Sequence, residues 1–455
     1  MTAVSSVNSL DTILKEFYSG PIRDQLNNEM LVFELFNRKK MNWVGRRVIM
    51  PVRVARNATS AYAADNGTLP PAGEQSYKDL TITAKYLYGR MSITGPAIAQ
   101  AKASVGAFVN GLQQELDGAV ESVKNAADQA CFTGGGAVGF ISEKSGALGT
   151  FQFSGNIDQI PGAATAGVRC VLVRSDTYAV ISVGGGGGNL AVRQSATAGS
   201  IDFRHDVVGG AETVDLSGLA KGAVCTVVIM TDTPAATSQD RLNEPLGIYG
   251  DLGAGYFDAA VAAGGAPTHW GTDRTTATGT ATVLQSTIEC VENALAGGAA
   301  NSGERAAVDT KRMQGILDTI ADLSGSEPNC MIAHYIFRQE YTALMSFTTT
   351  AVGTTTRNVN VDDGDPGFNL NALSFNGIPL KVARHCGKGL LIFLNLQSWV
   401  CAEVAAPALA DMDGSVLSRM NSQDAYEAFV RYYYNTVCTA PNRNGILTGI
   451  SYAGV

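Results

Sequence analysis

The sequence is poor in charge, poor in histidine and without paired cysteines. Only 16% of its 455 residues are charged, against about 25% in ordinary soluble domains. The eight cysteines, 131, 170, 225, 290, 330, 386, 401 and 438, stand singly with no CxxC pair. That is the pattern of buried free thiols rather than of a disulfide frame or a zinc site. Of the histidines, 205, 269, 334 and 385, only His385 has a neighbour of ligand type close by, and adjacent His385 and Cys386 suit one metal poorly. No GxSxG or HExxH occurs, and no nucleophile, base and oxyanion donor can be assembled, so neither a catalytic residue nor a cofactor is expected. No apolar run is long enough to cross a bilayer, and "MTAVSSVNSLDTILKEF" lacks a basic region followed by an apolar core. The chain therefore reads as soluble, made in a cytoplasm and without a membrane partner. Net charge is 33 − 41 = −8, which argues against tight wrapping of nucleic acid by the whole chain.

Two glycine runs and one acidic run need separate readings. "FTGGGAVG" (132–139) follows a helical pattern and lacks a Gly-Lys-Ser/Thr ending, and "GGGGG" (184–188) joins β segments. A phosphate loop needs its glycines after a strand and before a helix, so helix termination and a hairpin fit better. "DMDG" (411–414) begins like a calcium loop, but no Glu stands at the twelfth position, which leaves a turn.

The length predicts two to four lobes. Residues 9 to 37 read as two short helices broken at Gly20-Pro21, one presenting Phe17 and Tyr18, the next Phe33. Helices this short must dock on something, in this subunit or another. "RRVIMPVRV" (46–54) and "LTITAKYLYGRMSIT" (80–94) alternate like strands, the second with Leu80, Ile82, Ala84, Tyr86 and Tyr88 on one face. Between them lies the long polar tip "NATSAYAADNGTLPPAGEQSYKDL". A lone two-stranded ribbon is marginal in water, so this coreless arm needs a surface to lie on. Ser104 to Phe132 carries the strongest helical period, ended by Gly134. Residues 141–240 break into short apolar runs, as in a small antiparallel β domain. Residues 282–346 return to helix periodicity through Val283, Thr287, Val291 and Ala294 and then Met313, Leu317 and Ile320, with a strand at "CMIAH". The remainder is strand-rich.

This order of parts resembles the major capsid proteins of tailed bacteriophages, which have the α+β Hong Kong 97-like fold. "PVRVARNATSAYAADNGTLPPAGEQSYKDLTITAKYLYGRMSITGPAI" looks like the extended loop (E-loop) and its return strand. "GAFVNGLQQELDGAVESVKNAADQACFTGGG" resembles the spine helix. "LSFNGIPLKVARHCGKGLLIFLN" and "DMDGSVLSRMNSQDAYEAFVRYYYNT" look like later strands of the core. The resemblance implies an N-terminal arm at 1–43, an E-loop at 44–94 and a P-domain with the spine helix at 95–140. It further implies a β-rich insert at 141–240, a return to the P-domain at 241–275, an A-domain at 276–400 and closing strands at 401–455. The insert is where the chain departs from the simplest members, either to reinforce three-fold contacts, to receive a cement protein or as an elaborated loop.

The function so implied is self-assembly into hexamers and pentamers of an icosahedral head around double-stranded DNA. Implied partners are other copies, a portal protein at one vertex, a scaffolding protein during assembly, and DNA without specific binding. Assembly would take place in the host cytoplasm and the product would be the virion. An encapsulin-type compartment shell is the alternative. A surface poor in charge suits either shell, because Lys and Glu are depleted at buried interface centres; a larger core or a Gly/Ala-rich surface would also explain it. Expected inter-subunit contacts are Arg46, Arg47, Arg53, Arg56, Asn57, Asp65 and Tyr77 on the E-loop, with Phe17, Tyr18 and Phe33 on the N-terminal arm. Asp362, Asp363 and Asp365, in the polar loop 347–367, would either ring a symmetry axis or form an ordinary turn. Some relatives weld subunits through a Lys–Asn bond. Here the tip between Arg56 and Tyr77 has no lysine, and Lys78 and Lys85 are the nearest, so non-covalent interfaces are expected.

Overall fold

The computed structural model describes residues 31–40, 43, 47–55, 57, 59–65, 67–69, 71–96, 105–142, 150–162, 167–178, 180–181, 190–195, 200–205, 224–230, 240–255, 268–274, 281–291, 306–345, 373–409, 418–421 and 423–451. A one-turn-plus helix α1 (Leu31–Leu35) leads into strand β1 (Asn37–Lys40). Among the described residues, strands β2 (Arg47–Ala55) and β3 (Ser76–Thr83) pair only with each other, in the register Val48 to Ile82 and Met50 to Leu80. This is the expected ribbon, but its root is not coreless. Leu80 and Ile82 are buried with Trp270, Leu246 and Val437 of the same chain.

The expected single face from Leu80 to Tyr88 also divides. Ala84 separates β3 from β4 (Lys85–Thr94), and the alternation shifts by one residue there. Leu80 and Ile82 point inward, whereas Tyr86 and Tyr88 point out and Met91 and Ile93 point in. β4 leaves the ribbon to pair with β21 (Ala425–Cys438). Helix α2 (Val105–Thr133) is about 44 Å long at 1.5 Å per residue. Val123, Ala127 and Cys131 form its buried stripe. It packs closely on β4, where a Cβ on Gly89 would stand 2.4 Å from Val123 Cγ2. The helix ends at Gly134–Gly136, where Gly136 has φ 83°, a conformation that costs glycine little.

The described strands between 137 and 229 close on themselves. Strands β5 (Ala137–Ser142), β6 (Thr150–Gly155), β7 (Val168–Arg174), β9 (Leu190–Gln194), β10 (Ser200–His205) and β11 (Val224–Ile229) form a ring of antiparallel pairs. The order is β11-β5-β6-β10-β9-β7, and β7 pairs back to β11; the short β8 (Val180–Ile181) adds to β7. Alternate residues fill the interior, among them Phe151, Phe153, Cys170, Leu172, Ile201, Phe203, Val227 and Ile229. Closure removes the free edges that a small sheet would otherwise expose.

The hairpin of β12 (Thr268–His269) and β13 (Thr272–Asp273) precedes a single helical turn α3 (Ala281–Leu284). A six-stranded mixed sheet follows, in the order β14-β22-β18-β15-β17-β16. Its strands are β14 (Thr287–Cys290), β15 (Cys330–Ala333), β16 (Ser374–Phe375), β17 (Ile378–Val382), β18 (Leu391–Leu394) and β22 (Gly445–Thr448). Thr287 to Cys290 was expected on a helix and is instead a strand, parallel to β22. Helices α4 (Thr310–Ser324) and α5 (Tyr335–Met345) cover one face through Met313, Ile316, Ile320, Phe337 and Tyr341. Asp309 caps α4, its side chain accepting from the Lys311 N–H at 3.1 Å. The long β19 (Trp399–Leu409) and β21, with β1, β4 and the short β20 (Ser418–Arg419), form the five-stranded sheet under α2.

Candidate assembly interface

The ribbon carries polar and apolar side chains that its own chain leaves uncovered. Tyr62, Leu69 and Ile49 are 108%, 82% and 61% exposed. Arg47, Arg53, Asn57, Asp65 and Tyr77 are all exposed as well. Asn57 Nδ2 donates to the Gly73 carbonyl at 2.7 Å and ties the two sides of the tip together. The Tyr77 hydroxyl donates locally to Gln75 Oε1 at 2.7 Å. Arg46 and Arg56 lie outside the described residues, as do Phe17, Tyr18, Asp362, Asp363 and Asp365.

Phe33 lies within its own subunit. Its ring meets Tyr432 and Tyr434 edge-on at 5.7 and 6.2 Å, and the Arg38 guanidinium lies 4.6 Å above it. Asp128 of α2, itself buried, accepts from the Val32 and Phe33 N–H groups at 3.1 and 3.0 Å. Phe36 stacks on Trp399 at 5.0 Å. The short α1 is therefore fixed by the long helix and by the sheet, not by its own propensity.

A second uncovered surface did not emerge from sequence reasoning. On the sheet face away from α2, Tyr86, Tyr88 and Phe429 are exposed beside half-buried Tyr433. Their rings meet edge-to-face at 5.1 to 6.4 Å. The Tyr88 hydroxyl donates to that of Tyr433 at 3.3 Å, a contact that pushes the Tyr88 phenol above its usual range. Arg90 and Glu427 pair at 2.5 Å on the same strands. The sequence signal for this face is the alternating "YLYGR", followed by Met91 and Ile93 out of phase with Leu80 and Ile82.

One buried group resembles catalytic machinery. His269 Nδ1 stands 3.0 Å from Asp251 Oδ1, and its Nε2 lies 2.9 Å from the Cys438 carbonyl. The Cys438 thiol is pushed well up, first by burial and then by Asp251. All three residues are buried, and Nε2 meets the backbone of Cys438 rather than its sulfur. A buried thiol that is pushed up is the reverse of the accessible, lowered thiol of a nucleophilic cysteine. Among the described residues no group of three or more His, Cys, Asp or Glu could hold a metal ion.

No protein-family model matches the chain, and no curated protein matches it. Among solved structures, a chain of the cyanophage A-1(L) capsid asymmetric unit aligns over 94% of this chain and 95% of its own, at 10% identity and TM-score 0.50. A capsid chain of a native GTA particle aligns over 99% and 100%, at 10% identity and TM-score 0.46. The holo-SrpI encapsulin of Synechococcus elongatus aligns over 100% and 99%, at 6% identity and TM-score 0.43. At 10% identity the likeness to the cyanophage chain is one of fold. This chain has the fold of a phage capsid subunit.

Proposed function

We propose that the chain is the major capsid protein of a tailed phage, assembling into hexamers and pentamers of the head that encloses the DNA genome. The observation that carries this reading is the ribbon. Its outer half presents Tyr62 and Leu69 to solvent in a chain with a capsid-subunit fold, and an extended arm with uncovered apolar side chains gains stability by lying on a neighbour. In Hong Kong 97-like terms, the ribbon 47–83 is the E-loop. Helix α2 with the five-stranded sheet is the P-domain, the six-stranded sheet with α4 and α5 is the A-domain, and the barrel is the insert. Arg47 and Arg53 make no ion pair among the described residues and are suited to carboxylates of an adjacent subunit. Such pairs set register more than affinity. A portal and a scaffolding protein complete the assembly, the barrel either reinforces three-fold contacts, receives a cement protein or is an elaborated loop, and the packaged DNA is held without specific contacts. The phage reading is preferred to a compartment shell because the fold likeness that carries weight is to a phage capsid.

Electron microscopy of the expressed protein should show closed shells. Deleting 58–76 should leave soluble monomers or capsomers. Normal, stable particles from the deletion would remove the ribbon from the mechanism, and a monodisperse monomer from the full chain, under every assembly condition tried, would remove the shell.

A further inference from the structure

The base of the ribbon is gripped by a hairpin whose far end sits in a fully buried polar junction. Arg274, directly after β13, is buried and donates from all three guanidinium nitrogens. Nε donates to the Leu284 carbonyl at 2.8 Å, Nη1 to the Asp251 carbonyl at 2.6 Å and Nη2 to the Tyr178 hydroxyl at 3.3 Å. The guanidinium also lies 4.2 Å over the Tyr178 ring. Tyr178, at φ 54°, donates to the Leu252 carbonyl and accepts from the Ser286 N–H. Asp251 Oδ2 accepts from the Cys438 N–H at 2.6 Å. Residues from the barrel's β7–β8 turn, the buried turn 250–254, the approach to β14 and the end of β21 thus converge on one guanidinium and one carboxylate. Removing one member would leave the others buried and unpaired, so the arrangement is rigid.

The other end of this hairpin holds the ribbon. Trp270, at φ 52°, is buried against Leu80 and Ile82, and its carbonyl accepts the Thr81 N–H at 2.8 Å. Thr272 Oγ1 donates to the Asp79 carbonyl at 3.4 Å. On the sheet side a separate tie, Asn435 Nδ2 to the Thr83 carbonyl at 2.6 Å, holds the same root. Two ties on different bodies fix an angle where one would leave a pivot. We infer that Arg274 is a positioning residue for assembly: through the hairpin 268–273 it sets the direction in which the ribbon leaves the subunit. Its consequence for shells rests on the proposed role of the ribbon; its effect on the ribbon itself does not.

The test uses the full chain and two variants. Arg274→Met removes the charge and the three hydrogen bonds that the guanidinium donates. Thr81→Pro leaves the junction intact and removes the N–H that the Trp270 carbonyl accepts, along with the Thr81 side chain, at a strand position whose N–H points away from β2. Amide exchange is read over 76–84 and, as an internal reference, over 391–394; particle yield is read by microscopy. Both variants should speed exchange at the ribbon root by roughly five- to tenfold, the loss of about one net hydrogen bond, without changing 391–394, and both should lower the yield of closed shells. Arg274→Met with faster exchange at 268–274 but unaltered exchange at 76–84 would overturn the inference. If Arg274→Met does not fold, Thr81→Pro decides alone, and unaltered exchange over 76–80 refutes the clamp. Should the wild-type chain form no shells, the proposed function fails while the exchange comparison still decides the inference.

Discussion

Replacing Asp128 tests how the N-terminal segment is held. Its carboxylate is buried on α2 and accepts two backbone N–H groups, from Val32 and Phe33. A hydrogen bond to a charged acceptor contributes about 1.5–3 kcal/mol, and leaving its donor buried and unpaired adds a cost of similar size. Relief of the carboxylate's own desolvation offsets part of this. Asp128→Ala should therefore destabilise by about 2–4 kcal/mol. Asp128→Asn keeps an acceptor oxygen without its charge, and charge-assisted bonds are about twice as strong as neutral ones. Its cost should be near half. The change should be local as well as global: Phe33 would lose its fixed seat on Tyr432 and Tyr434, and β1 its alignment on β19. Urea denaturation gives the magnitude, and amide exchange at Val32 and Phe33 gives the place. An Asp128→Ala protein within about 0.5 kcal/mol of wild type, with both amides still protected, would refute the reasoning.

Three further outcomes follow from particular contacts. Gly89→Ala drives a Cβ into Val123 and should cost about 1–3 kcal/mol by overpacking, partly recovered by adding Val123→Ala; a Gly89→Ala melting temperature equal to wild type would contradict the close packing. His334 and His385, beside the seam where Gly155 bridges Lys388, are both held below the ordinary value of 6.5, by burial first and then by Lys388 and Arg384 respectively, with Asp158 opposing at His334. The unfolded chain then binds more protons, so their contribution is complete above pH 6.5 and is lost as pH falls through the folded values. His334→Gln with His385→Gln should flatten the stability profile below pH 6.5, and an unchanged slope would exclude these histidines. All eight cysteines are buried, with the Cys330 thiol raised to about 11 and those of Cys386 and Cys401 to about 12. A thiol reagent at pH 8 should modify none of them rapidly in the folded protein and all of them in denaturant.

Local signals were read well where one element decided its own conformation. The long helix was expected over 104–132 and runs from Val105 to Thr133, because its apolar period and its terminal glycines are both local. The strands of the barrel were visible as short apolar runs, but its closure was not. Closure depends on β7 pairing with β11 more than fifty positions later in sequence, and no local pattern encodes that partner. Thr287 to Val291 fitted a four-residue period, yet Thr287 and Ile288 are β-branched and parallel pairing with β22 prevails. The shift at Ala84 is marked in sequence by Met91 and Ile93, which fall out of phase with Leu80 and Ile82, and burial shows that Tyr86 and Tyr88 lie on the outward side of the new phase. The junction at Arg274 left no trace in sequence. Its partners, Tyr178, Asp251 and Leu284, come from three segments, and two of its three acceptors are backbone carbonyls.

The low charge content has three explanations, a surface given to partners, a larger core, or a surface merely rich in glycine and alanine. The placement of the exposed apolar side chains favours the first over the last. Of the eight large ones among the described residues, four (Ile49, Tyr62, Leu69 and Tyr77) lie on the ribbon and three (Tyr86, Tyr88 and Phe429) share one face of the five-stranded sheet; Leu323 alone lies elsewhere. Apolar side chains scattered singly are normal on a soluble surface, whereas contiguous groups mark contacts. The choice of tyrosine on the sheet face is consistent with a surface that must first be wet. A phenol keeps its hydroxyl hydrated while the ring rests edge-on against its neighbour, and the same ring gives a large apolar contact once covered. A uniformly small, neutral surface would show neither the clustering nor the preference for tyrosine.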